Sequence, residues 1–305
     1  MPPHPSAPPA ARAQERPRAR RASGCLMGAV LVSGLVVAGA FAATQWLRGG
    51  VDLGGEVCRA TAAGTTVSFG PDQMDNAATI VGIGMSRGLP ARAGTIAIAT
   101  AIQESKLRNI EYGDRDSLGL FQQRPSQGWG TPEEILDPEY STNAFFDALV
   151  EVDGYEDRII TEVAQEVQRS AYPDAYADHE TEGRVIASTL AGHTRASLVC
   201  RLDEPTTHTA VDALTSDLQS HLGVSGTVSE DGTTLTVETG DERAAWSVGQ
   251  YLVAKSERHA LTRVQVGDLA WSRASGRSAL QWQEDADEAV PATRVVATLT
   301  PAEAG

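Results

Sequence analysis

The sequence predicts a mainly α-helical domain that follows a single N-terminal transmembrane helix and precedes a small C-terminal α+β domain. The chain has 305 residues, of which 41% are hydrophobic, so its length suits about two packed domains. One long apolar run near the start carries no charge. Apolar residues then recur at helical spacing before alternating runs replace them. The predicted boundaries are a disordered tail at 1–24, the transmembrane helix at 25–47, a linker at 48–70, the helical domain at 71–203 and the α+β domain at 204–305.

The chain is acidic, and its charge is unevenly distributed. The formal net charge is −15, although residues 1–50 hold six arginines and one acid. The acidic remainder repels nucleic-acid phosphate, and no basic stripe offsets it, so we expect no nucleic-acid partner. The Pro-, Ala- and Arg-rich segment 1–24 has little apolar surface to bury, which is typical of a disordered tail.

The apolar run spans residues 25–44 without a charge. A helix of about 20 residues crosses roughly 30 Å of hydrocarbon. Five arginines precede the run and only Arg48 follows it closely, so the positive-inside rule places the N-terminus in the cytoplasm. The alternative is a cleaved signal peptide, because Ala40-Phe41-Ala42 has the small-x-small form, but signal h-regions span only about 7–15 residues. We therefore expect a single-pass anchor in the cell membrane, with the rest of the chain extracytoplasmic.

Two of the three cysteines fall in the extracytoplasmic part. Cys58 and Cys200 lie where disulfides persist, whereas Cys25 at the membrane entry is expected to be a lone thiol. We expect Cys58 and Cys200 to form a disulfide that brackets one folding unit. The alternative is two unpaired buried thiols, which spacing alone does not exclude.

The bracketed segment has helical patterning. Apolar residues recur at helical spacing within 71–88, and a second helix begins at Pro90 and runs to about residue 108. Further helices fit residues 131–152 and 155–171.

One pentapeptide in this region matches a nucleophile elbow. Residues 84–88 have the Gly-x-Ser-x-Gly form, which requires a strand before it and a helix after it. The preceding residues 77–83 fit a helix, and the βαβ alternation of a hydrolase sheet is missing. A serine esterase that uses Ser86 is therefore the weaker alternative, and a helix C-terminus with an exposed serine is the expected structure.

The segment 101–129 carries the strongest functional signal. Glu104 and Ser105 end a helix of small apolar residues, and a polar loop leads from them to a turn that begins 15 positions after the glutamate. The turn consists of Gly119, Leu120, Phe121 and Gln122. This pattern resembles the catalytic region of the lysozyme-like superfamily, in particular lytic transglycosylases and goose-type lysozymes. Those proteins place a Glu-Ser pair at a helix end and a Gly-Leu-Met/Phe-Gln segment after a loop. The similarity covers roughly residues 74–150.

The resemblance implies that Glu104 acts as general acid and then as general base. It implies that Ser105 braces the glutamate loop, while the backbone of 119–121 and the amide of Gln122 line a sugar groove. Cleaving a glycosidic bond requires a proton on the leaving oxygen, and burial keeps a carboxyl protonated by raising its pKa. In a transglycosylase the sugar's own 6-hydroxyl attacks, so no second carboxylate is required.

A hydrolase would use a water and usually a second acid. Three acidic residues in the polar loop are candidates for that second acid: Glu111, Asp114 and Asp116. The favoured interpretation is that they form a solvated acidic loop that caps the next turn.

The sequence departs from the family pattern in two places. Arg124 and Trp129 lie in a Gly/Pro-rich loop. One interpretation is that they contact an acetamido sugar or a peptide carboxylate, and the alternative is that Trp129 only folds the loop onto the domain. The family's Tyr-Asn-Ala-Gly-like segment is replaced by residues 163–176. There Gln168 and Tyr172 lie one helical turn apart, and we expect both to contact substrate. The alternative is an ordinary amphipathic helix with exposed amides.

The C-terminal part has a different composition. A linker-like segment at 203–207 precedes a helical pattern at 211–222, a hairpin signal at 226–239, a second helix around Trp246 and another hairpin at 264–271. This order predicts α-β-β-α-β-β. Because the histidines are scattered and Cys-x-x-Cys and phosphate-loop motifs are missing, we expect no metal and no cofactor.

Together these features predict a membrane-anchored, peptidoglycan-cleaving glycosidase of the lytic transglycosylase type. Its partner is the peptidoglycan glycan strand, and its target is the MurNAc-GlcNAc β-1,4 bond. The alternative is a catalytically inactive peptidoglycan-binding or scaffold protein with a lysozyme-like fold. The sequence does not identify protein partners.

Overall fold

The computed structural model describes residues 55–168, 173–285 and 289–301, and the segment Gly54–Gly305 forms one compact unit. The described residues contain eight α-helices and nine strands. The α-helices are α1 (Pro71–Ser86), α2 (Ala91–Ser105), α3 (Pro132–Ile135), α4 (Pro138–Val150), α5 (Ile160–Gln168), α6 (Glu180–Leu190), α7 (Val211–Asp217) and α8 (Glu242–Ala254). The strands are β1 (Val57–Ala62), β2 (Thr65–Phe69), β3 (Leu198–Arg201), β4 (Thr227–Val228), β5 (Thr234–Glu238), β6 (Arg263–Val266), β7 (Leu269–Ser272), β8 (Gln283–Glu284) and β9 (Arg294–Thr298).

The predicted fold class, a mainly α domain after a transmembrane helix with a small α+β domain behind it, is wrong. The described residues form two antiparallel sheets, one of which lies beside the helices that were predicted to form an α domain by themselves. No helix within these residues is long and apolar enough to cross a membrane. The predicted tail at 1–24 and transmembrane helix at 25–47 lie outside the described residues. Strands β1 and β2 occupy part of the predicted linker at 48–70.

The first sheet brings together the two ends of the helical part. Its strand order is β2-β1-β3, and both pairings are antiparallel. Cys58 of β1 lies directly opposite Cys200 of β3, and the two residues form a disulfide. The predicted pairing is therefore confirmed, and the alternative of two unpaired thiols is wrong.

Helices α1 and α2 form the centre of the helical part. Pro71 occupies the first position of α1, and the Gln73 side chain accepts a hydrogen bond from the Gly70 backbone N–H at 2.8 Å. Every residue of α2 from Ala93 to Ile102 is buried. Because the core surrounds this helix, its side chains reach the surface again only in its last turn.

The Gly-x-Ser-x-Gly segment lies at the end of α1. Ser86 is the last residue of that helix, and its hydroxyl donates to the Ile83 carbonyl at 3.0 Å. A strand–turn–helix elbow is therefore not formed at this serine.

The second sheet has six antiparallel strands in the order β4-β5-β9-β6-β7-β8. The predicted hairpins are β4–β5 and β6–β7, and the predicted helices are α7 and α8. The sequence did not predict β9, which lies between β5 and β6 and joins the two hairpins. Helix α8 packs on this sheet and also on β3, α1 and α6 of the helical part. The predicted boundary between residues 203 and 204 thus falls inside one compact unit.

A buried lysine joins the C-terminal part to α1. Lys255 follows α8 and is only 1% exposed. Its Nζ lies 2.6 Å from Thr79 Oγ1 and 3.0 Å from an Asp75 carboxylate oxygen. Burial lowers the pKa of the Lys255 ammonium, and the Asp75 charge acts in the opposite direction. The ion pair therefore compensates in part for burying the charge.

A buried histidine lies in the same contact region. His221 belongs to the π-helical turn Leu218–Leu222 after α7, and its Nδ1 lies 2.6 Å from the Tyr251 hydroxyl. Burial, together with the charge of Lys255, lowers the pKa of His221 to about 4. His221 is therefore neutral at pH 7, so its 3.6 Å approach to Glu139 is not an ion pair at that pH.

Replacing Cys58 and Cys200 by alanine should lower the free energy of unfolding by on the order of 4 to 5 kcal/mol, because the cross-link spans a loop of 142 positions and restricts the unfolded chain. Urea unfolding of the oxidised chain and the double variant measures the difference. The reduced native chain is the control and should match the double variant. Equal stability of all three proteins would contradict the expectation.

Acid should destabilise the chain through His221. The folded pKa lies below the ordinary value of 6.5, so the unfolded state binds the proton first as the pH falls. The contribution of neutral His221 to the free energy of unfolding is fully present above pH 6.5. About 3 kcal/mol of it is lost by pH 4. Chemical unfolding of the native chain and of His221→Gln across this range isolates the effect, since other titrating groups are common to both. Parallel pH profiles of the two proteins would contradict it.

Candidate active site

Glu104 projects from the last turn of α2, where the helix leaves the core. Ser105 is the final helical residue, and Lys106 and Leu107 both have positive φ, at 56° and 58°. Their backbone N–H groups bond back to Ile102 and Ala101, which closes the helix end. The glutamate is half-buried, although its neighbour Gln103 is exposed.

Two side chains donate hydrogen bonds to the Glu104 carboxyl. The hydroxyl of Tyr176, a fully buried residue in the 3₁₀ helix Pro173–His179, donates to Glu104 Oε1 at 2.5 Å. The second bond comes from the Gln168 side chain at the end of α5. Glu104 is thus held between the end of α2 and two segments more than 50 residues further along the chain, α5 and the 3₁₀ helix that follows it.

The pKa of Glu104 is raised above its ordinary value. Burial is the largest cause, because it penalises the charged form. The hydrogen bonds from Tyr176 and Gln168 favour the carboxylate and lower the pKa, but they do not outweigh burial. Glu104 therefore favours its protonated form more than a solvated glutamate does. When the proton leaves, Tyr176 and Gln168 stabilise the carboxylate.

The predicted turn after the polar loop packs directly against the end of α2. The Ser105 hydroxyl lies 2.8 Å from the Leu120 carbonyl, to which it donates, and it accepts from the Arg108 backbone N–H at 3.2 Å. The Gln168 amide donates to the Phe121 carbonyl at 2.6 Å. Because the same glutamine bonds Glu104, it couples the turn to the carboxyl.

The turn itself depends on close packing. Gly119 has φ +76°, and a Cβ there would lie 2.6 Å from the Ile135 carbonyl oxygen, so a side chain does not fit. Leu120 and Phe121 are buried, and the Phe121 ring stacks on Phe145 with 4.5 Å between centroids. These two side chains serve the core, and their carbonyls bind Ser105 and Gln168.

Gln122 faces the polar loop. Its φ is +49°, and its amide Nε2 lies 3.2 Å from the Gly119 carbonyl and 3.4 Å from the Tyr112 carbonyl. Tyr112 is 74% exposed on the same loop. Gln122 therefore positions the loop that carries this tyrosine.

The three candidate second acids are not equivalent. Glu111 and Asp114 are exposed. Asp116 accepts from Arg124 Nε and from the Ser126 backbone N–H, both at 2.8 Å, which holds the pKa of its carboxyl well below the usual range. Asp116 thus anchors the 3₁₀ turn Pro125–Gln127, as the loop-capping interpretation predicts.

The tyrosine that contacts Glu104 is not the one that the sequence singled out, and the predicted substrate contact of Tyr172 stays a prediction. Tyr172 lies outside the described residues, and the tyrosine that contacts Glu104 is Tyr176. The only sign of Tyr176 in the sequence is that it is a second tyrosine, four positions after Tyr172. Helical spacing from Gln168 pointed to the first one, whereas Tyr176 is presented by a 3₁₀ helix.

Trp129 is half-buried and packs against the core. It also lines a cavity of about 530 Å³ that extends to Gln168. The loop-folding interpretation of this residue is therefore supported, and its contact with sugar stays a prediction.

Within the described ranges, no group of three or more His, Cys, Asp or Glu side chains is arranged to hold a metal ion. The chain matches no protein-family model and no curated protein sequence. The assignment of a function therefore depends on the geometry around Glu104.

Replacing Tyr176 by phenylalanine should raise the pKa of Glu104 further, because the variant loses a donor that stabilises the carboxylate. Carbon-13 NMR titration of glutamate carboxyls, assigned with Glu104→Gln, measures the change. Tyr112→Phe is the matched control, since that hydroxyl is on an exposed ring, and it should leave the pKa of Glu104 unchanged. A lower or unaltered value in Tyr176→Phe would contradict the arrangement.

Proposed function

We propose that this chain is a peptidoglycan-cleaving glycosidase of the lytic transglycosylase type, similar to the lysozyme-like superfamily. Its target is the β-1,4 bond from MurNAc to GlcNAc. The observation that carries the proposal is the environment of Glu104: a carboxyl whose pKa is raised by burial and which two neutral donors bind.

The first chemical step follows from this environment. Protonated Glu104 gives its proton to the glycosidic oxygen as the bond to the anomeric carbon breaks and an oxocarbenium-like centre develops. The departing sugar takes the electron pair and the proton. Tyr176 and Gln168 then stabilise the carboxylate by hydrogen bonds that strengthen as its charge appears. Burial favours the protonated form of Glu104 before the reaction, and the two donors stabilise the carboxylate that forms when the proton is transferred.

The second step uses the same residue as a base. The Glu104 carboxylate removes the proton of the hydroxyl that attacks the anomeric carbon, which restores the acid. Asp116 is engaged by Arg124 and Ser126, and Glu111 and Asp114 are exposed, so none of the three shares the burial of Glu104. This favours attack by the sugar's own 6-hydroxyl, which yields an anhydro end, over attack by an activated water.

The disulfide supports an extracytoplasmic location, where peptidoglycan lies. Cys58 and Cys200 are paired, and such bonds persist in oxidising compartments. Anchoring through residues 25–47 stays a prediction.

Glu104→Gln should lower the cleavage rate by a factor of about 100 or more, because an amide cannot supply the proton. Zymography on purified peptidoglycan with the full-length chain in detergent measures the activity. Ser86→Ala is the control and should keep the native rate, whereas the esterase alternative predicts the reverse. Mass spectrometry of the products should show ends lighter by one water than hydrolysed ends.

The competing function is a glycan clamp without catalysis. It predicts that the native chain and Glu104→Gln bind peptidoglycan equally and that neither clears it. That outcome, with both proteins folded, would overturn the proposed enzyme.

A further inference from the structure

The cavity beside the candidate active site has an apolar wall and an acidic rim. Trp129, Val152 and Val167 form the wall, and Val152 and Val167 are almost fully buried. Glu151 and Glu166 lie on the rim. A volume of about 530 Å³ is large enough for a segment of a peptide or for a sugar ring with its substituents.

The charge on the rim favours a cationic ligand. Glu166 pairs with Arg158 at 2.8 Å, so that carboxylate already has a counter-ion. Glu151 caps the C-terminus of α4 and is exposed, and it forms an ion pair with no described residue. The negative end of the α4 dipole adds to its charge. Among the described residues, the rim therefore has one carboxylate without an ion-pair partner, and it lies at a helix C-terminus.

The wall and the rim together define the shape of the ligand. An ammonium group at Glu151 with an alkyl chain behind it would place its methylenes against Val152 and Val167. Trp129 lines the same cavity and adds aromatic surface to it. A primary amine on a flexible aliphatic stem fits these features. A neutral sugar fits less well, because it has no charge to pair with the Glu151 carboxylate.

Gln168 links this cavity to the catalytic carboxyl. It lines the cavity, donates to the Phe121 carbonyl at 2.6 Å and forms a hydrogen bond to Glu104. A ligand in the cavity therefore lies one side chain away from the reacting bond of a glycan bound at Glu104.

We infer that the cavity is a subsite for the free side-chain amine of a diamino acid in the peptide attached to the glycan strand. The inference rests on the proposed function for the identity of the substrate. It specifies which glycan strands the chain selects: strands whose peptides are not cross-linked, because cross-linking converts that amine into an amide and removes its charge.

Binding rather than cleavage tests the inference. The probe is a disaccharide that carries a lysine-containing peptide, prepared once with the free side-chain amine and once with the amine acetylated. Calorimetric titration into the full-length Glu104→Gln chain keeps the sugar intact. Acetylation should weaken binding by about tenfold, because it removes a charge-assisted hydrogen bond.

A second substitution assigns the effect to the cavity. Adding Glu151→Gln should abolish the difference between the free and the acetylated probe. Adding Glu230→Gln, which removes the same charge from an exposed turn between β4 and β5, should leave it unchanged. Equal binding of both probes, a difference that survives Glu151→Gln, or no binding of either probe would overturn the inference.

The two proposals can fail separately. If the native chain does not cleave peptidoglycan but the amine-dependent difference requires Glu151, the glycosidase is wrong and the amine subsite stands. If Glu104 is required for cleavage but acetylation has no effect on binding, the subsite is wrong and the glycosidase stands.

Discussion

The structure around the candidate site depends on burying one carboxyl group at the end of a buried helix. Helix α2 runs through the core, and Glu104 is placed where the chain turns back at Lys106 and Leu107. Burial of the charged form is unfavourable, and two hydrogen bonds reduce that cost only in part. The carboxyl therefore favours its proton, which is the property that a general acid needs near neutral pH.

The remaining contacts keep that arrangement in place. Ser105 and Gln168 bind consecutive carbonyls of the turn at Leu120 and Phe121, so the turn, α2 and α5 cannot shift independently. Lys255 and Asp75 join the C-terminal part to α1 of the same helical core. The disulfide ties the first and last strands of the helical part together. Contacts from β1 near the start of the compact unit and from Lys255 in its C-terminal part thus both stabilise the helical core that carries the site.

The sequence predicted the parts of this site that depend on local patterns. The Glu-Ser pair and the turn at Gly119 follow from a short motif with a fixed gap, and the cysteine pair follows from the expected compartment. Strand β3 was missed because four buried residues have no distinguishing periodicity, and its partner lies far away in sequence. Tyr176 was missed because a 3₁₀ helix has three residues per turn, so spacing from an α-helix does not locate its side chains.

The most direct test of the account is a crystal structure of the Glu104→Gln chain with an alternating GlcNAc-MurNAc tetrasaccharide. The account predicts that the sugar lies across the end of α2, with one glycosidic oxygen about 2.6–3.2 Å from the substituted side chain at position 104. That side chain should remain bound by Tyr176. A saccharide bound elsewhere, or one with every glycosidic oxygen beyond the reach of position 104, would contradict the assignment of Glu104 as the acid.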